Sequence, residues 1–285
     1  MIAVTLDKLA GVALKLPSAL QTFSKLEAML RDANRGLDDI TTLIRADMSL
    51  SATVIRLANS ALFVRGSPVS ALEDAINRVG FREVHRLVAL AAASNLFQRD
   101  LVFYGYSASQ VWENALATAV AAEVLARVSS TGDTQVAYTT GLLRNLGKLI
   151  LNNLLFSEPE HLRPSPYEAS KGDVIAWEKN TTGFANPEIA VLVLEKWKYP
   201  AATIQPIAGQ YLPHKAGRFQ QDAARINLAG WIADQLGKAL PGEQPHWQLT
   251  PQRLTEANLR EPDVRDAILA TRNALNELKA ALAAL

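Results

Sequence analysis

Apolar residues recur at three- and four-residue intervals through most of this chain, and no stretch sustains the two-residue alternation of a half-buried strand. The pattern restricts the fold to helices packed on helices, an all-α architecture. Leu20, Phe23, Leu26 and Leu30 mark a helix opening at Pro17, whose missing N–H suits a first turn, and stopping near Asn34-Arg35-Gly36. Helices are expected next at about 37–45 and about 50–63, the second with Val54, Ile55, Ala58, Ala61 and Leu62 on one side. Ser70-Ala71-Leu72-Glu73 has the spacing of a capping box, and Gly80 separates the helix it opens from an Ala-rich one at about 81–97. Further helices are predicted at about 111–128, 135–155, 167–180, 187–197, 201–211 and 223–236. Pro241-Gly242 and Pro245 read as a linker before a short helix from Thr250-Pro251 and a final one running from Pro262 to Leu285.

That last helix places Val264, Ile268, Leu275, Leu278, Leu282 and Leu285 on one stripe, with charges on its other faces. Something must cover it. Docking against the helical body is expected, with self-association into a homodimer through this helix as the alternative.

Composition removes several function classes. A chain of 285 residues, 49% of them hydrophobic, can bury a sizeable core. Its net charge of +1 gives no global attraction to nucleic acid or an anionic membrane. The absence of Cys excludes disulfides, thiolate metal sites and a cysteine nucleophile. Apolar runs are too short to span a bilayer, and Asp7-Lys8 interrupts the N-terminus where a secretory signal would need its apolar stretch. A cytoplasmic protein without a membrane span is expected.

Motifs for independent catalysis are also missing. No Gly-x-Ser-x-Gly turn surrounds a serine, and no Gly-x-x-x-x-Gly-Lys loop offers a phosphate cradle. The four histidines, His85, His161, His214 and His246, show no paired i, i+4 spacing, so each reads as a surface or locally hydrogen-bonded residue. Asn59 sits beside an apolar face, where its amide needs partners, and should tie its helix to a neighbouring loop.

The run Gly141-Leu-Leu-Arg-Asn-Leu-Gly-Lys-Leu-Ile150 resembles the metal-site helix of HD-type phosphohydrolases, with Arg144-Asn145 where that pattern has a His-Asp doublet. Other blocks support the likeness: Leu16-Pro17-Ser18, Ile44-Arg45-Ala46-Asp47, Ile55-Arg-Leu-Ala-Asn-Ser60, Ala75-Ile76, Val79-Gly80, Gly183-Phe184, Glu188-Ile189 and Glu195-Lys196-Trp197 with Pro200. Over roughly residues 14–212 the chain resembles the bacterial HDOD domain, a signalling relative of the HD hydrolases. The resemblance implies a multi-helix HD-like bundle. An N-terminal helical part would span 1–100, a degenerate HD-like part 101–240, and a linker with C-terminal helices 241–285.

By the same resemblance, the metal-ligand positions fall at Asn114, Arg144, Asn145, Asn186, Gln210, Tyr211 and Gly230. None is His, Asp or Glu, and Arg offers a metal no lone pair, so neither a metal, another cofactor nor hydrolysis is expected. Asn145 lies three residues from Leu142 and four from Leu149 and should face inward, with Arg144 toward the helix flank. It reads either as a core amide in a collapsed site or as the wall of a residual polar pocket shared with Asn114, Asn186 and Gln210. Arg78, Arg82, His85 and Arg86 fall at helical spacing, as a solvated face or as a docking stripe for an acidic or phosphorylated partner.

Together these features imply a non-catalytic bacterial signal-transduction scaffold that works through protein–protein contacts with signalling partners, not with nucleic acid. The alternatives are a sensor holding a nucleotide or other small ligand in the degenerate pocket, and a residual metal-dependent phosphodiesterase.

Overall fold

The computed structural model of the chain describes residues 5–13, 24–26, 28–29, 37–60, 67–94, 96–168 and 172–283. Its regular elements are α- and 3-10 helices, with one isolated antiparallel bridge between Leu101 and Tyr106. The all-α expectation holds among the described residues. Among the described residues, no helix is long and apolar enough to cross a membrane.

In chain order the helices are α1 (Leu6–Ala13), α2 (Leu37–Arg45), α3 (Met48–Ala58), α4 (Leu72–Val79), α5 (Phe81–Ser94) and α6 (Ala108–Ser129). They continue with α7 (Thr134–Leu143), α8 (Leu146–Ser157), α9 (Val174–Thr182), α10 (Asn186–Lys196) and α11 (Ala201–Ala208). The last three are α12 (Gln220–Gln235), α13 (Pro251–Ala257) and α14 (Glu261–Ala283).

Helix α6 is the axis of the molecule. From Asn114 to Ala122 every residue is buried, because the run is mostly alanine and small aliphatics and neighbours approach from all sides. Ser107 caps it: its hydroxyl accepts from the Gln110 amide, and the Gln110 side chain accepts from Ser107 N–H in return. Helices α7, α12 and α14 pack directly on α6. A Cβ on Gly141 would lie 2.7 Å from Ala119 Cα, so only glycine lets α7 seat this closely.

Helices α2–α5 form a smaller assembly around Ile40, Ile44, Val54, Ile76 and Val88, joined to the rest where α5 meets α7. The Ser70 capping box does not form. Ala71 is the N-cap of α4 and carries no side-chain cap bond, while Glu73 pairs with Arg45. Asn59 does tie α3 to the following loop, donating to Val69 C=O at 2.7 Å and accepting from Val69 N–H at 2.8 Å. Helix α1, which periodicity did not reveal, packs on α8 and α10, with Lys8 Nζ 2.5 Å from Glu158 Oε1. Of the helix expected from Pro17, the described residues are helical, Leu26 is buried and the Ser24 hydroxyl donates to Trp197 C=O; Pro17 itself lies outside them. Ala61 and Leu62, expected to extend α3, also lie outside.

The single helix expected over 135–155 is two, α7 and α8, and the reason is Asn186. Its carboxamide takes over a helical i, i+4 pair: Nδ2 donates to Arg144 C=O at 3.1 Å, and Oδ1 accepts from Lys148 N–H at 3.1 Å. A side chain inserted into the ladder breaks the helix there. Close packing reinforces the break, since a Cβ on Gly147 would fall 2.0 Å from Asn186 O. The predicted ends at Tyr167 and Tyr211 also retreat, to an α9 capped by Asp173 and an α11 closed at Ala208.

The C-terminal stripe docks on the chain's own body. Val264, Leu275 and Leu278 are buried against α6 and α12, and Ile268 is half-buried, while the side chains of Leu282 and Leu285 lie outside the described residues.

Candidate functional site: a buried ionic centre

The break between α7 and α8 turns Arg144 and Asn145 into the core together. Arg144 therefore does not lie on a helix flank, as continuous helical pitch would require, but is fully buried. Its Nη2 reaches Glu243 Oε2 at 2.8 Å and Asn114 Oδ1 at 2.5 Å, and its Nη1 reaches Gln210 Oε1 at 3.2 Å. Lys148, one turn further along, is equally buried. Its Nζ is 2.7 Å from Glu178 Oε1 and 3.3 Å from Glu243 Oε1. Two cations and two carboxylates thus neutralise one another out of water, the condition on which buried charge is tolerated.

Neutral groups complete the centre. Tyr211 O–H donates to Glu243 Oε1 at 2.7 Å, Tyr104 O–H to Glu178 Oε1 at 3.1 Å, and Asn186 N–H to Glu178 Oε2 at 2.6 Å. Asn145 Nδ2 donates to Asn114 Oδ1 at 2.9 Å, whereas Asn145 Oδ1 is buried without a partner among the described residues. Burial pushes the Glu243 carboxyl up, but the charges of Arg144 and Lys148, with hydrogen bonds from Arg144 and Tyr211, outweigh it and hold the pKa at about 2. Burial followed by the neighbouring Glu243 charge drives the Tyr211 phenol well above its ordinary value.

Glu243 arrives on the segment expected to be a linker, which is instead a plug. Gly242 has φ 84, a left-handed conformation, and a Cβ there would meet Tyr167 Oη at 1.9 Å. Tyr106 O–H donates to Pro241 C=O at 2.5 Å, and Asn227 Nδ2 donates to Gln210 C=O and His246 C=O at 2.9 and 2.8 Å. His246 Nε2 pairs with Asp173 Oδ1 at 2.8 Å. Trp247 closes the mouth. The Arg144 guanidinium lies 4.8 Å from the centroid of its indole, and a Cβ on Gly230 would stand 2.7 Å from its ring.

Asn114, Arg144, Asn145, Asn186, Gln210 and Tyr211 therefore meet in one buried network, and Gly230 adjoins it through Trp247. Sequence reasoning missed Lys148, Glu178 and Glu243. The available signal was a lysine inside the apolar run Leu146–Leu151 and a glutamate between Gly242 and Pro245.

The HDOD domain family model matches residues 16–213. The chain belongs to the HDOD family. Its HDOD fold is shared with an HDOD domain protein of Geobacter sulfurreducens, at TM-score 0.65 and 17% identity over 94% of this chain and 89% of that one. A protein of Shewanella amazonensis SB2B provisionally described as a phosphohydrolase matches at TM-score 0.69 and 22% identity, over 95% of each chain. One from Marinobacter aquaeolei VT8, provisionally described as a signal transduction protein, matches at 0.70 and 23%, over 96% of this chain and 64% of that one. An uncharacterised protein of Treponema pallidum (strain Nichols) is 26% identical over 243 residues, covering 82% of this chain. The chain spans only 44% of that curated relative's length.

In this HDOD chain the metal ligands of the HD pattern are replaced, and the residues present do not fit a divalent cation. The guanidinium of Arg144 and the ammonium of Lys148 already supply the positive charge, and both would repel a metal ion. Among the described residues no group of three or more His, Asp or Glu side chains is placed to hold one.

The basic stripe does not survive as one surface. Gly80, at φ 85, separates α4 from α5, so helical register does not carry from Arg78 to the other three. Arg78 donates to Ser67 C=O at 2.5 Å, His85 is buried, and Arg86 lies over the Tyr138 ring at 5.3 Å and 3.9 Å from Glu123. The Arg82 side chain lies outside the described residues.

Proposed function

We propose that this chain is a non-catalytic signalling module of the bacterial cytoplasm that acts through contacts with protein partners. The carrying observation is the buried quartet of Arg144, Lys148, Glu178 and Glu243, which satisfies its own charges and leaves no water-accessible acid, base or nucleophile among them. Hydrolysis needs a water or hydroxide brought to a phosphorus atom, and a self-neutralised centre closed off from bulk solvent offers neither a path in. The name of the Marinobacter relative agrees with a signalling role. A ligand-holding sensor at this centre would require both Glu243 and Trp247 to withdraw, and the anchors at Tyr106, Asn227 and Asp173 oppose that.

The test is elemental analysis of protein exchanged into metal-free buffer, paired with phosphodiesterase assays supplemented with manganese, magnesium or ferrous iron. Absence of stoichiometric metal and of turnover is expected. Stoichiometric metal, with hydrolysis lost in Asn145→Ala or Gln210→Ala, would overturn the reading. Affinity purification from the native cell with mass spectrometry then identifies the partner.

A further inference from the structure

A second polar site, lined by residues that no motif in the sequence singles out, lies beside α6. Where the end of α12 meets α14, a cleft of about 170 Å³ opens, lined by Glu113, Lys238, Arg272 and Lys279 around Leu236 and Leu275. Such a space far exceeds the roughly 15 Å³ that a single water needs. Its charges are unequal: Glu113 is the lone carboxylate among three cations. Lys238 Nζ lies 2.6 Å from Glu113 Oε2, and Lys279 pairs with Glu113 Oε1, so two ammonium groups share one anion. Hydrogen bonds from both lysines accordingly hold the Glu113 carboxyl below its ordinary range. Arg272 is exposed and has no ion-pair partner among the described residues.

We propose that this cleft binds a small phosphate-bearing ligand through a diphosphate group. The argument is one of charge and donors. A chain of net charge +1 concentrates three cations on one concave surface, and the cations come from α14 and from the segment after α12, so the cleft exists only when the C-terminal helix is docked. A planar guanidinium lining the same cleft as two ammonium groups suits an oxyanion with several negative oxygens, to which Arg can donate two parallel hydrogen bonds. Gln235 and Asn276 add carboxamide donors at the rim, and the modest volume admits a diphosphate while leaving any larger esterified group outside. Occupancy would clamp α14 to the body. The cleft also abuts the ionic centre, because Lys238 C=O accepts from Asn114 Nδ2 at 2.7 Å, and the same carboxamide holds Arg144.

Calorimetric titration of the full chain with sodium pyrophosphate, at ionic strength matched with sodium chloride, tests this. Saturable binding at one site per chain is expected, accompanied by a rise in Tm. Arg272→Glu should weaken it by at least about tenfold through charge reversal and loss of the bidentate donor. Because Arg272 is exposed, this variant should melt as the wild type does without ligand. Lys215→Glu, at an exposed position that does not line the cleft, should bind normally. Absence of saturable binding, unchanged affinity in Arg272→Glu, or equal affinity for citrate would each overturn the assignment of a phosphate site. None of these readouts involves turnover or a protein partner, so the result stands apart from the signalling proposal.

Discussion

Arg144 and Glu243 meet 2.8 Å apart with neither side chain exposed, joining the α7–α8 break to a turn 99 residues later. The pair converts a surface-type turn into the seal of the core. Its energetic weight lies less in attraction gained than in the cost of leaving either charge alone.

Glu243→Gln should therefore destabilise the chain by about 3–5 kcal/mol, since Arg144 loses the one carboxylate it meets among the described residues and Lys148 keeps one of two. Denaturant unfolding followed by Trp fluorescence reads this directly. A loss below about 1 kcal/mol would show that water reaches the pair.

Acid should unfold the protein through the same carboxylate. Its folded pKa of about 2 lies below the ordinary 4.5, so its stabilising contribution is complete above about pH 5 and is lost as pH falls through the folded value. For one fully buried group the window is worth about 3 kcal/mol. Stability curves from pH 7 to pH 2 should be steeper in wild type than in Glu243→Gln, and parallel curves would contradict the assignment.

Asn145→Asp should also destabilise, without creating a metal site. The Asn145 amide now donates to Asn114 Oδ1, and a carboxylate there would face that oxygen and add a third anion to a balanced quartet. A loss of about 1–3 kcal/mol from the missing donor alone is expected by denaturant titration. Equal or greater stability would mean that Arg144 can absorb the extra charge.

Gly147→Ala should disrupt the α8–α10 contact, because its Cβ would stand 2.0 Å from backbone at Asn186. Overpacking of this kind costs about 1–3 kcal/mol, and backbone cannot yield as a side-chain tip can. Hydrogen exchange at Lys148 N–H, normally held by Asn186, should accelerate in the variant.

Removing residues 261–285 should lower stability and solubility, since Val264, Leu275 and Leu278 each bury about 1.5–3 kcal/mol of apolar surface. Light scattering should show full-length chain without a dimer seam in α14. A full-length dimer that becomes a well-folded monomer on truncation would place the helix in an interface instead.

Local rules made much of this protein legible. Periodicity predicted the helical class, and the family blocks pointed to the polar positions around Asn145. Asn59 and the C-terminal stripe also did what their neighbours in sequence demanded, because an amide or an apolar face beside a core has few alternatives. The helix break at Arg144 was not legible, because it depends on an Asn186 carboxamide that competes for two backbone groups 42 and 38 residues away. Lys148, Glu178 and Glu243 escaped for a related reason. Each alone belongs at the surface by the cost of desolvation, and only their convergence makes burial tolerable. Sequence by itself determined the helical class and the absence of His, Asp and Glu at the ligand positions of the HD pattern; tertiary structure alone decided where the 135–155 helix breaks and which charges fill the centre, because charge compensation is a property of groups brought together in space.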